Sequence, residues 1–256
     1  MCLAVVALDA HPDFALVIAA NRDEFHDRPA AAAAWGAAPP FSDILAGRDL
    51  KAGGTWLGVR RDGRWALVTN VREGGRNDPA ARSRGDLVPR VLNAGGAPAD
   101  AVAAVAGAQD GYNGFNLLAG DDAGAHWASN RGGSARRLAA GVHGLSNALL
   151  DTPWPKLVRT THAVRAWLAE GDADTAPLFA ALADRARPAD AELPDTGVTR
   201  DWERLLSSAF IVSERYGTRC STVLTVDRAG RAVFRERTFD LAGAPAGETV
   251  ETFAVR

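Results

Sequence analysis

Cys2-Leu3-Ala4-Val5-Val6-Ala7-Leu8 is followed by Asp9-Ala10-His11-Pro12-Asp13 and then by Phe14-Ala15-Leu16-Val17-Ile18-Ala19-Ala20-Asn21-Arg22-Asp23-Glu24. The first run reads as a buried strand, the polar run as a turn, and Phe14 to Ala20 as a second strand. A hairpin of this size returns the end of the second run to the start of the first. It therefore predicts Asn21, Arg22 and Asp23 beside Cys2, although they stand far apart in sequence. Alternation along a strand puts Asn21 and Asp23 on one face and Arg22 and Glu24 on the other. All four can address the thiol only if the strand ends or bulges there.

Cys2 follows Met1 directly, and removal of that methionine leaves a thiol and a free α-amine on one residue. A free cysteine, with a pKa near ~8.5, is mostly protonated at neutral pH, whereas an α-amine near ~7.7–8.0 can accept its proton. N-terminal threonine nucleophiles use the same arrangement. Arg22 would favour the thiolate, and Asp23 would orient an α-ammonium. The competing readings are a small apolar residue at a strand start for Cys2 and a solvated charge cluster for Arg22, Asp23 and Glu24.

With 256 residues, 47% hydrophobic and 23% charged, the chain can bury a substantial core as a single domain over residues 1–256. A net charge of −2 offers no basic field for nucleic acid or a membrane surface. The apolar runs are too short to span a bilayer, and Asp9, His11 and Asp13 interrupt what would be a signal peptide. Two cysteines make no disulfide framework, so a reducing cytoplasm is expected.

Beyond the hairpin, Ala30 to Pro40 reads as a surface connection and Asp43 to Gly47 as a short strand. Asp62-Gly63 between Thr55–Val59 and Trp65–Val71 signals a second hairpin. Arg72 to Ser83 is loop-like, Asp86 to Asn93 and Ala99 to Ala108 are weak helices, and Phe115–Ala119 with Ala125–Ser129 form a third hairpin. Lys156 to Glu170 is the best helix, opened by Pro155 and closed by Gly171. Its apolar stripe is Leu157, Thr161, Val164 and Leu168, widened by Val158. A helix around Leu178 to Leu182, a linker from Arg187 to Thr199, and strands at Ala209–Val212, Thr222–Val226 and Val233–Phe239 follow. Hairpins, then helices, then hairpins argue against a parallel doubly wound sheet. Strands apolar on both alternations argue for sheets covered on both faces. The expected fold is therefore an α+β sandwich of two packed antiparallel sheets with helices outside.

Asn70 and Asn147 end strand-like runs, where an amide can donate to an oxyanion or simply form a turn. Gly53-Gly54-Thr55-Trp56 is a loop able to approach a substrate, or a tight turn, and it lacks the phosphate-loop pattern. The five histidines show no metal-ligand spacing, so neither metal nor cofactor is expected; Cys2, Cys220 and His143 are the one combination worth naming. Arg219 could bind a carboxylate or be exposed. Asn21, Gly54, Thr55, Trp56 and His143 are the candidate substrate-contacting residues.

Together these residues resemble the NRDE family, the group that includes the transport and Golgi organisation protein two of eukaryotes. The resemblance covers nearly the whole chain. It rests on the Met-Cys start, Asn21-Arg22-Asp23-Glu24, Gly53-Gly54-Thr55-Trp56-Leu57-Gly58, Thr69-Asn70, Gly144-Leu145-Ser146-Asn147, Pro153-Trp154-Pro155-Lys156 and Tyr216-Gly217-Thr218-Arg219-Cys220-Ser221-Thr222. That family is similar to N-terminal nucleophile hydrolases, which implies a four-layer αββα sandwich and the chemistry of the bile-salt and penicillin acylases. The resemblance implies Cys2 as nucleophile, Arg22 and Asp23 as its supporting pair, Asn70 and Asn147 as oxyanion-side groups and Arg219 as a further cation. In those acylases the arginine and aspartate are separated along the chain, whereas here they are adjacent. The implied substrate is a small or acylated amide or thioester. The alternative is a non-catalytic protein that binds or traffics haem or an acyl ligand on the same fold.

Overall fold

In the computed structural model, which describes residues 2–107, 111–132, 134–171 and 173–255, the first hairpin forms as expected. Cys2–Leu8 (β1) pairs antiparallel with Phe14–Phe25 (β2), so that Cys2 lies opposite Arg22 and Leu3 opposite Asn21. Ala30–Trp35 (β3), Ile44–Asp49 (β4), Leu57–Arg60 (β5) and Trp65–Asn70 (β6) follow, then helices Leu87–Leu92 (α1) and Pro98–Gly107 (α2). Next come Phe115–Asp121 (β7), Gly124–Ser129 (β8), Arg136–Arg137 (β9) and Gly141–Leu145 (β10). Helices Pro155–Glu170 (α3), Ala176–Leu182 (α4) and Arg200–Leu205 (α5) precede Tyr216–Asp227 (β11), Arg231–Phe239 (β12) and Pro245–Ala254 (β13). The order β10-β1-β2-β11-β12-β13 makes one sheet and β3-β4-β5-β6-β7-β8-β9 the other.

The two alternations of each strand bury into different layers. Ala4, Val6, Leu16 and Ile18 join Leu57, Trp65, Leu67, Trp127 and Phe234 in the core between the sheets. Leu3, Val5, Val17 and Ala19 face outward onto Leu157, Val164, Trp167 and Leu178 of α3 and α4. On the far side, Ala66, Val68 and Leu117 face Val88, Val91, Val102 and Val105 of α1 and α2. The result is a four-layer αββα sandwich, and it explains why these strands are apolar on both faces.

Several expectations change. Ala30–Trp35 is a strand, not a surface connection: it pairs with β4, and the Ala33 amide donates to Glu236 at 2.7 Å. In Ala209–Val212 the first three residues are buried, but the segment is not a strand. Its polar groups go elsewhere: Phe210 N–H donates to the Asp184 carbonyl (2.8 Å) and Ile211 N–H to the Thr218 hydroxyl (2.9 Å). The buried face of α3 is rotated from the expected stripe. Lys156, Leu157, Thr160, Val164, Trp167 and Leu168 are buried, while Val158 is 51% exposed. Gly171, at φ +70°, ends the helix as expected.

Candidate active site

β1 begins at Cys2, so the Cys2–Arg22 pair closes the ladder and Asp23 and Glu24 run on past it. On the other side of β2, the register with β11 shifts between Thr218 and Cys220, leaving Arg219 in a bulge. Strand end and bulge together resolve the alternation problem. Cys2 is half-buried against the inter-sheet core. On the same face, the Arg22 guanidinium stacks 4.5 Å from the Trp56 ring centroid and lies 3.9 Å from Glu24. Asp23 is fully buried and accepts the Thr218 hydroxyl at 2.7 Å.

A cavity of about 320 Å³ opens at this end of the sandwich, with Cys2, Arg22, Asp23, Thr55, Trp56 and Asn70 in its wall. Burial raises the Cys2 thiol above its ordinary value; Asp23 and Glu24 add to the rise and Arg22 opposes it. The resting group at neutral pH is thus a thiol that needs a base. Burial also raises Asp23, and Lys156 is the strongest influence pulling it back.

The remaining candidates are placed as follows. Gly54 meets the polypeptide itself: a Cβ there would lie 2.5 Å from the Gly85 carbonyl carbon, while Thr55 N–H donates to the Gly85 carbonyl at 3.0 Å. The Thr55 hydroxyl donates to the Leu57 carbonyl at 3.1 Å. Asn147 stands behind Asn70, its Nδ2 donating to the Asn70 carbonyl at 3.2 Å. Asn21 points to the opposite side of β2. There its amide bonds the Leu182 and Ala209 carbonyls at 2.8 Å each and accepts the Ser221 hydroxyl at 2.6 Å. His143 is in a separate cavity of about 520 Å³, with Nδ1 3.2 Å from Asp151. Arg219 lines a third cavity of about 210 Å³ with Cys220 and Glu236, which shares Trp56 with the first. Among the described residues, no group of three or more His, Cys, Asp or Glu could hold a metal ion.

Two neighbours of the thiol escape a sequence-level search. Arg84 lines the Cys2 cavity and donates to the Gly114 carbonyl at 3.2 Å, with no carboxylate in ion-pair range among the described residues. It lies in a Gly/Asn/Arg-rich stretch without periodicity, so nothing in the sequence marks it. Lys156, on the first turn of α3, is buried, and that burial lowers it to about 8. Its only sequence signal is the Pro153-Trp154-Pro155-Lys156 motif.

A family model described as Transport and Golgi organisation 2 matches residues 1–241. The Transport and Golgi organization protein 2 homolog of Bos taurus is 36% identical, the match covering 93% of this chain and 92% of that protein. The Homo sapiens homolog is 35% identical over the same shares of the two chains. Among solved structures, penicillin V acylase from Agrobacterium tumefaciens matches with a TM-score of 0.50 at 14% identity, covering 97% of this chain and 90% of that one. That likeness shows the fold, an N-terminal nucleophile hydrolase-like sandwich. The chain belongs to the transport and Golgi organisation 2 family.

Proposed function

We propose that this protein is an amidohydrolase-like enzyme with Cys2 as an N-terminal nucleophile. Removal of Met1 frees the α-amine, which takes the thiol proton. The thiolate attacks the carbonyl of a small amide or thioester, and the amine returns the proton to the leaving nitrogen or sulfur. Water then hydrolyses the thioester bond to Cys2. Arg22 favours the thiolate, Asp23 holds the α-ammonium, and Asn70, braced by Asn147, donates to the oxyanion. The observation that carries the reading is Cys2 paired directly with Arg22 in the wall of a cavity that Asp23 also lines. Intact mass after incubation with a β-lactone, which opens onto a thiol by simple addition, tests it. Wild type should gain one lactone mass and a Cys2→Ala variant none; equal labelling of the two defeats the proposal.

A second reading, binding of a haem-like or acylated ligand without turnover, draws on a different cavity. It measures about 920 Å³, lies at the far end of the sandwich and is lined by Leu8, Leu16, Trp65, Leu138 and Val226. If it holds such a ligand, haem should quench Trp65 fluorescence and Leu138→Arg should weaken the titration. An unchanged titration counts against this reading.

A further inference from the structure

The Cys2 cavity has four arginines in its wall, Arg22, Arg28, Arg82 and Arg84. Arg22 lies 3.9 Å from Glu24, Arg28 is 2.6 Å from Asp49, and Arg82 is 2.8 Å from Asp86. Arg84 differs. Among the described residues no carboxylate comes into ion-pair range of it, and its one hydrogen bond runs from Nη1 to the Gly114 carbonyl at 3.2 Å. Glu24, the acid whose field reaches it, is already shared by Arg22 and by Arg28 at 3.8 Å.

The turn that carries Arg84 is well seated. Thr55 N–H donates to the Gly85 carbonyl at 3.0 Å, Gly85 N–H donates to the Ser83 hydroxyl at 3.3 Å, and Gly54 packs directly on Gly85. Thr55 is itself cavity wall, so the contact that seats the turn also sets it beside the space that Cys2 lines. The Arg84 guanidinium is thus half-buried and tethered at Gly114, with Nε and Nη2 left to donate as a pair. A cation that has lost part of its water gains from a fixed counter-charge. Lys51 is also without an acid among the described residues, but it is exposed, where an ammonium keeps its water and attracts weakly.

The wall also selects the anion. Asp23, Glu24, Asp49 and Asp78 stand in it, so a dianion such as a phosphate meets repulsion from several sides. A single carboxylate matches one unpaired guanidinium in charge, and its two oxygens match a pair of parallel N–H groups in shape.

We propose that Arg84 is a specificity-determining residue: the substrate that reaches Cys2 is an amide or thioester that also bears a carboxylate, and Arg84 binds that carboxylate. The proposal deepens the reading of Cys2 as nucleophile and takes the reaction from it, whereas carboxylate binding at Arg84 stands without it.

Iodoacetate and iodoacetamide are nearly equal in size, differ by one charge, and both alkylate a thiolate with loss of iodide. Their rates at Cys2, followed by peptide mass, are to be compared with their rates at N-acetylcysteine. Wild type should favour iodoacetate over iodoacetamide more than the free thiol does. Arg84→Gln should slow iodoacetate roughly tenfold and leave iodoacetamide unchanged, and Arg84→Lys should recover part of the loss. A ratio of the two rates in Arg84→Gln equal to that of wild type overturns the proposal.

A second measurement takes the thiol out of the question. Succinamate, an amide with one carboxylate, is titrated by saturation-transfer NMR against Cys2→Ala protein, with neutral succinamide as control. Succinamate should bind, and adding Arg84→Gln should weaken it roughly tenfold without altering succinamide. Absence of succinamate binding, or equal binding by the two proteins, overturns the proposal. Inorganic phosphate that displaces succinamate more strongly than acetate does would also overturn it, by making the site one for phosphate. A Cys2 inert to both alkylating reagents, with succinamate still held through Arg84, overturns the nucleophile reading alone.

Discussion

At the scale of single residues, the chemistry is concentrated where charge is buried. Lys156, at about 8, lies below the ordinary lysine value of 10.5. Between those two pH values the unfolded chain binds more protons than the folded one, so this group makes stability rise as pH climbs from about 8 to about 10.5. Below that window it costs the fold about 3 kcal/mol, a net figure in which nearby carboxylates already oppose the loss of hydration. Urea denaturation should therefore show the pH 8–10.5 rise reduced in a Lys156→Met variant. A rise of unchanged size in that variant would contradict this. The Arg72–Glu203 pair is the opposite case, both side chains nearly inaccessible and 2.6 Å apart. Glu203→Gln strands a buried guanidinium and should lower unfolding free energy by about 3–5 kcal/mol. Cys2, Arg22 and Asp23 were legible in the sequence because a hairpin is a local rule. The burial of Lys156 was not, because it depends on how α3 docks against the sheet, which the helical period does not specify.

Among elements, legibility followed the turns. Asp62-Gly63 and the polar run Asp9–Asp13 mark hairpins, and both form. β3 is nearly all alanine, a residue poor in strand propensity, and exists because β4 and Glu236 supply its partners. β13, with Pro245, Gly247 and mostly exposed side chains, is an edge strand that only its pairing with β12 reveals. Ala209–Val212 shows the converse: apolar character predicts burial, but the hydrogen-bond partners decide whether a strand forms. The Gly54–Gly85 contact belongs to this scale, since it ties the β4–β5 connection to the short turn that carries Arg84. Gly54→Ala should cost about 1–3 kcal/mol and slow Cys2 alkylation, because the new methyl meets backbone that cannot swing away. Gly53→Ala has open space and only a positive φ of +74° to tolerate, so it should cost about 1 kcal/mol and leave alkylation unchanged. Thermal denaturation and peptide mapping separate the two.

For the whole molecule, the four layers turn one sequence into two unlike ends. The β1–β2 strand ends and the β11 bulge gather charge around Cys2. The far end, beyond Leu8, Leu16 and Val226, opens a larger cavity whose wall mixes apolar side chains with charged ones such as Asp9, Asp62, Asp122 and Arg137. Among the described residues no helix is long and apolar enough to cross a membrane. A sandwich that matches an acylase at 14% identity and a TM-score of 0.50 shares its layers and little of its sequence, so the chemistry must be argued from the residues at the charged end. The central claim is that a thiol and a free amine meet on the second residue and face the cavity. The direct measurement is intact and peptide mass after treating the native protein with 2-cyanobenzothiazole, which condenses stably with a 1,2-aminothiol, losing ammonia, and not with an internal cysteine. One adduct confined to Cys2, absent in Cys2→Ser, is the predicted result. A native protein that retains Met1 and forms no adduct contradicts the account.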